Sequence, residues 1–171
     1  MKASPQPPEL LGLPPVAGPR ARLLLLGSFP GAASLAAGQY YAHPRNQFWP
    51  LLSALLDEDL VACPYCQRVQ RAAARGVAIW DVYAACRREG SLDSAIRQAR
   101  PNDLAGLVSG LPDLRAIAHN GRESARAMRV TAALGLPVWR LPSSSPANAS
   151  WSFDRKRDAW REAFRAAGLV Q

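Results

Sequence analysis

Short, mainly apolar runs alternate along the chain with longer stretches in which apolar residues recur every three or four positions. Four runs, "RLLLLGS" (22–28), "GVAIWDV" (76–82), "LRAIAHN" (114–120) and "PVWRLP" (137–142), are too short for helices and lack a polar face. That pattern predicts strands buried on both sides. Between them the periodicity turns helical. "PLLSALLD" puts Leu51, Leu52, Leu55 and Leu56 on one face, with Pro50 in the first turn, where a missing N–H matters least. "YCQRVQRAAARG" predicts a helix closed by Gly76, "NDLAGLVSG" one that starts on Asn102, and "GRESARAMRVTAALG" a single arginine-studded helix closed by Gly135. In "FDRKRDAWREAFRAA", Phe153, Trp160, Phe164 and Ala167 share one side behind an N-cap at Ser152.

Strand alternating with helix implies a parallel sheet in a three-layer α/β/α sandwich, whose ligands gather beyond the carboxyl ends of the strands. The loops after Leu26, Trp80, Ala118 and Leu141 are therefore the candidate site. They carry "GSFPGAASLAAGQYYAHPRNQFW", Asp81, "HNGRES" and "PSSSPANAS". No internal repeat is present.

Composition narrows the picture. The length of 171 residues suits one globular domain, here 21–171, preceded by a proline-rich arm over 1–20 that holds six of the fifteen prolines. The arm reads as a covering strap or a disordered tail. No run of apolar residues is long enough for a membrane span, and the arm lacks the apolar centre of a signal peptide. Three cysteines cannot all pair, so a reducing cytoplasm is expected. The formal charge of +8 favours a polyanionic partner, although an arginine-rich, alanine-rich composition by itself gives the same excess.

Several chemistries fail on spacing. "GSFPGAAS" has no lysine before its serine and no G-x-G-x-x-G, so neither phosphate-loop motif is present. Cys63 and Cys66 make half of a metal site without a second pair, and ordinary packing is the simpler reading. "HPR" at His43 lacks the H-x-E of a zinc deaminase. Ser143, Ser144 and Ser145 have no G-x-S-x-G elbow. A rigid basic surface with glycine turns, aromatic faces and few acids remains, which suits the handling of a nucleobase. Tyr40, Tyr41, Phe48 and Trp49 offer stacking faces, Asp81 and the asparagines can read a base edge, and arginines can hold phosphates.

Three stretches, "LLLLGSFPGAASLAAGQYYAHPRNQFW", "GVAIWDVYAACRREGSLDSAI" and "LPSSSPANASWSFDRKRDAW", resemble the hypoxanthine-DNA glycosylase family, often counted as the sixth family of the uracil-DNA glycosylase superfamily. The similarity spans residues 22 to 165, with its motifs in order. It implies a four-stranded parallel sheet, no metal or organic cofactor, and hydrolysis of the glycosidic bond of a deaminated base in double-stranded DNA, single strands being left open. Mismatch-specific relatives place a water-orienting asparagine where this chain has Phe29. The asparagine of the family's "HPxNxFW" segment, here Asn46, takes the catalytic role; as a plain residue it is also a candidate helix cap.

The resemblance further implies a base pocket of Gly27, Ser28, Phe29, Pro30, Gly31, Tyr41 and Asp81. An ionised aspartate only accepts hydrogen bonds, so Asp81 would favour the N1–H of hypoxanthine over the bare N1 of adenine. The remaining implied contacts, His43, Asn120, Ser143, Ser144, Ser145, Pro146, Ala147 and Asn148, would hold DNA, with Pro146 and Ala147 as a compact wedge. The expected enzyme is a monomer whose abasic product passes to an endonuclease. A uracil glycosylase, a non-catalytic damage-binding module and a small-molecule serine hydrolase stay open.

Overall fold

The structure is a computed structural model that describes residues 5–171. In chain order the elements are β1 (Glu9–Leu11), β2 (Leu23–Gly27), α1 (Ala32–Ala37), α2 (Phe48–Leu56), α3 (Tyr65–Ala74), β3 (Val77–Asp81) and β4 (Tyr83–Arg87). A 3-10 turn (Asp93–Ala95) and β5 (Arg97–Pro101) follow, then α4 (Leu104–Ser109), β6 (Ala116–Asn120), α5 (Arg122–Ala125), α6 (Met128–Ala132), β7 (Val138–Leu141) and α7 (Phe153–Ala166). The four strands expected from the apolar runs are β2, β3, β6 and β7, and they form a parallel sheet in the order β3-β2-β6-β7; the edge strand β7 departs from the expected burial on both sides, with Arg140 exposed and Val138 and Trp139 half-buried.

The leucine run of β2 explains the layering. Leu23 and Leu25 join a core with α2, α3 and α7, built around Phe48, Leu52, Trp160 and Phe164. Leu24 and Leu26 point the other way into a second core with Leu104, Leu111 and Ile117. Side chains alternate across a strand, so an all-leucine strand can be buried only if both faces are covered. Trp160 adds a polar anchor, donating from Nε1 to the carbonyl of Pro142 at 2.9 Å and tying α7 to the segment after β7.

Two helix readings need correction. The helix expected to start on Asn102 is capped by Asp103, whose carboxylate accepts from Gly106 N at 2.9 Å; Asn102 instead donates to the backbone carbonyl of Asp81 at 2.8 Å and fixes the end of β3. The single helix expected over 122–134 is two short ones. Buried His119 lies between Ser124 Oγ and Thr131 Oγ1, both at 2.8 Å, and Ser124 Oγ also reaches the carbonyl of Leu26. Turning both hydroxyls inward, with Thr131 bonding back to Ala127 and Met128, bends the chain between them.

A second sheet, β1-β4-β5, is antiparallel and lies outside the sequence expectations. Its strands carry solvent-facing Arg87, Arg97, Gln98 and Arg100 and show no clean alternation. Their partners are remote: Arg100 pairs with Glu9, and Arg87 donates to the carbonyl of Pro7 at 2.6 Å. The proline-rich segment therefore lies along the domain. Val16 bridges Ile79 at the outer edge of β3, and the Tyr40 hydroxyl donates to the carbonyl of Pro14 at 2.7 Å, so the open strand edge is covered.

Candidate active site

The carboxyl ends of the four parallel strands open into one cleft of about 1130 Å³. Every residue that the sequence placed in the base pocket or against DNA lines it, together with Asn46. The cleft has a floor, an aromatic wall, an asparagine rim and a second rim.

The floor is β2 against β3. Gly27 lies beside Asp81 in register, and a Cβ on Gly27 would collide with Asp81 Oδ1 and stand 2.9 Å from the Tyr41 hydroxyl. Only glycine leaves that space. Asp81 is 4% exposed, receives no hydrogen bond on its carboxyl among the described residues, and has Oδ2 buried without a partner there. Burial raises its pKa from the ordinary 3.8 to about 7; nearby Asp93 adds to the rise and Arg88 opposes it. A strand-end cap would show a backbone N–H on the carboxylate, and none is present.

Tyr41 forms the aromatic wall. Its backbone is left-handed, with φ of 54°, a conformation that costs a residue with a side chain about 1–2 kcal/mol. The ring lies 3.8 Å from that of Phe48 at 11°, and the hydroxyl is buried without a partner. Tyr40 belongs to the core at 3% exposure, with its hydroxyl spent on the strap. Phe29 is buried beneath the Arg88 guanidinium, which sits 5.3 Å above its ring.

The asparagine rim is a network centred on Ser144, which is fully buried. Ser144 Oγ donates to Asn46 Oδ1 at 2.9 Å and accepts from Asn120 Nδ2 at 2.9 Å; Ser144 N donates to Asn120 Oδ1 at 3.0 Å, and Ser144 O accepts from Gln47 N at 2.9 Å. Asn46 Oδ1 also accepts from Phe48 N at 2.9 Å, so the residue, one position before the N-cap Gln47, satisfies the first N–H of α2, and this bond fixes which amide atom is oxygen. Both Oδ1 lone pairs are thus occupied, and Nδ2 is the half of the amide with no protein partner. Ser144 and Asn120, expected against DNA, line the cleft and also bond to one another beside Asn46, with Ser144 Oγ linking the two asparagines.

Gly121, at φ of 96°, brings the start of α5 against Ser143, where a Cβ would sit 3.1 Å from the Ser143 Cβ. The Ser143 and Ser145 hydroxyls accept from Ser145 N and Ala147 N in successive tight turns, and Asn148 Nδ2 donates to the carbonyl of Ser143 at 3.1 Å. Ala147 is exposed at the tip and His43 is exposed nearby. Arg122, Arg126 and Arg140 complete this side of the cleft. Of these, Arg126 pairs with Glu123 at 3.2 Å; Arg157, Arg161 and Arg165 of α7 pair along that helix with Asp154, Asp158 and Glu162, so that charge run is a solvated face.

The second rim escaped the sequence reading. Asp93, from the turn before β5, lines the cleft and accepts from Ser28 Oγ at 2.6 Å; burial raises its pKa, against the Ser28 hydrogen bond. Trp151, beneath Arg155 at 3.7 Å, also lines the cleft. Asp93 lies 65 residues from Ser28, and no local spacing signals the pair. Cys63, Cys66 and Cys86 are free thiols outside the cleft, and among the described residues no three His, Cys, Asp or Glu side chains cluster as a metal site.

A doubly covered parallel sheet with a glycine floor, a buried carboxyl and an asparagine held at the rim is the architecture of a base-excising enzyme. The profile of the Uracil DNA glycosylase superfamily matches residues 14–166, and the chain belongs to that superfamily. Among individual relatives, the chain is 36% identical over 154 residues to the Hypoxanthine DNA glycosylase of Methanosarcina barkeri (strain Fusaro / DSM 804), an alignment covering 90% of this chain and 97% of that one. The Hypoxanthine DNA glycosylase of Methanosarcina acetivorans matches with the same identity and coverage. The solution NMR structure of a Methanosarcina acetivorans protein provisionally assigned as a uracil DNA glycosylase superposes with a TM-score of 0.84 at 34% identity, covering 94% of this chain and 99% of that one. The fold expected from the sequence is the fold observed.

Proposed function

We propose that the protein is a monofunctional DNA glycosylase that flips a deaminated base, preferably hypoxanthine, into the cleft and hydrolyses its bond to deoxyribose. The observation that carries the reading is Asp81, a buried carboxyl without a partner against the bare Cα of Gly27. A fold does not leave a polar atom unsatisfied without cost, and a base edge bearing an N–H supplies the missing donor. The ionised carboxylate, the form that prevails above about pH 7, accepts from the N1–H of hypoxanthine, whereas adenine presents a lone pair there. The names of the two 36%-identical relatives support the same substrate.

Glycosidic cleavage passes through an oxocarbenium-like sugar, so the reaction needs an aligned water more than a strong base. Asn46 meets that need. Its oxygen is locked by Phe48 N and Ser144 Oγ, and its Nδ2 can hold a water through one lone pair, leaving the other directed at C1′. Tyr41 stacks on the flipped base. The exposed turns of Ser143, Ser145, Pro146, Ala147 and Asn148, with His43 and the rim arginines, take the backbone. Lys156 lies outside the cleft, donating from Nζ to Gln47 Oε1 at 2.9 Å, and this supports hydrolysis over a Schiff-base lyase step.

The enzyme works as a monomer on duplex DNA and passes its abasic product to an endonuclease. Three free thiols suit a reducing cytoplasm, and among the described residues no helix is long and apolar enough to cross a membrane. The test is metal-free cleavage of duplexes carrying one deoxyinosine or one deoxyuridine, with alkali to reveal abasic sites and Asn46→Ala alongside. Inosine cutting that vanishes in the variant supports the reading. Cutting at uridine alone transfers the protein to uracil excision, and binding without cutting makes it a damage-binding module.

A further inference from the structure

Four large apolar side chains are exposed among the described residues, Leu11, Val61, Leu92 and Val130, and of these Leu92 alone lines the cleft. It is 61% exposed at the tip of the segment joining β4 to β5. That segment is braced on both sides of the leucine. Arg88, 4% exposed, donates to the carbonyl of Pro30 at 2.6 Å and to that of Gly90 at 2.9 Å. Ser91 Oγ accepts from Ala32 N at 2.9 Å, and Asp93 accepts from Ser28 Oγ at 2.6 Å. The backbone of Leu92 is itself held, its carbonyl accepting from Ala95 N at 3.1 Å. A large apolar group is thus fixed toward solvent on a rigid mount, beside a pocket for one base.

Extruding a base leaves a gap in the stack, and an apolar side chain that enters it offsets the lost stacking. The 143–148 turn is poorly equipped for this. Its exposed tip is Ala147, a single methyl, and its backbone is tied into tight turns. Leu92 stands on a separate element of the same cleft and has the bulk that the tip lacks. We propose that Leu92 is the wedge that enters the base stack of duplex DNA while the target base occupies the pocket. This rests on the glycosylase reading and assigns the wedge to a second loop.

The test compares wild type, Leu92→Ala and Leu92→Phe on one deoxyinosine sequence presented as a paired duplex and as an unpaired bubble. 2-Aminopurine next to the lesion reports unstacking on binding. The exposed position lets all three proteins fold, which thermal unfolding checks. The proposal expects kcat/KM on paired duplex to fall about ten- to thirtyfold in Leu92→Ala, as befits the lost apolar area. It also expects bubble activity within about twofold of wild type, a lost 2-aminopurine signal, and recovery of both in Leu92→Phe. Equal loss on duplex and bubble, or an unchanged 2-aminopurine signal, overturns it. Wild type that excises nothing yet gives a Leu92-dependent signal removes the glycosylase reading and leaves the wedge standing.

Discussion

Replacing Asp81 by asparagine removes a charge and little else, so it isolates the energetic effect of keeping a carboxyl in the floor of the cleft. Burial, with Asp93 as the second cause and Arg88 opposing, raises this group from 3.8 to about 7. Tyr40 and Tyr41, the other titratable groups facing it, stay neutral because burial and Asp81 itself push both of them up. The folded state therefore holds a proton that the unfolded chain has released between those two pH values, and stability falls as pH rises through that window. Taken whole, the difference is worth about 4 kcal/mol, a ceiling because Asp93 titrates alongside. The neutral amide of the variant is a permanent equivalent of the protonated carboxyl.

Asp81→Asn should then match wild type near pH 4 and exceed it in stability by about 2–4 kcal/mol near pH 8.5. Urea unfolding across that range reads the gap as a midpoint shift of about 1–2 M. Wild type as stable as the variant at pH 8.5, or a gap that widens toward acid, would refute the assignment of Asp81 as a desolvated carboxyl. A stabilising substitution in the floor of a site is the mark of a residue kept for binding at the expense of stability.

Other substitutions bear on the rest of the cleft. Asn46→Ala should lower kcat about a hundred- to ten-thousandfold while costing about 2–3 kcal/mol for the two hydrogen bonds its Oδ1 accepts, so single-turnover excision and urea unfolding on one preparation separate the two roles. Ser144→Ala, which removes the hydroxyl that holds Asn46 Oδ1, should lower kcat with little change in KM by freeing the Asn46 amide. A rise confined to KM would show that Ser144 touches DNA after all. Gly27→Ala should abolish inosine excision while costing about 1–3 kcal/mol, because its methyl displaces the Asp81 carboxyl, and equilibrium binding to an abasic-site duplex should survive. If Arg122, Arg126 and Arg140 each meet a phosphate, kcat/KM should fall roughly fortyfold between about 50 and 200 mM salt; a flat response would point to a small-molecule hydrolase.

The sequence by itself determined the sheet and the place of the site. Four apolar runs without a polar face can be satisfied only by a doubly covered parallel sheet, and that topology sends the polar loops after Leu26, Trp80, Ala118 and Leu141 to one end. Local chemistry also made the Ser152 cap and the Trp160–Phe164 face of α7 legible. The antiparallel sheet was not, because Arg87, Gln98 and Arg100 find their partners up to 91 residues away and leave no periodic trace. Tertiary structure alone decided which polar groups are spent and which are free. Ser144 and Asn120 look like surface residues in a serine-rich turn, yet they are closed around Asn46. Asp81 looks like a turn aspartate, yet it has no donor, and Asp93 and Leu92 enter the cleft only because Arg88, Ser91 and Ser28 brace a remote loop against it. Periodicity records what must be buried, whereas hydrogen-bond partners distant in sequence are fixed only when the chain has closed on itself.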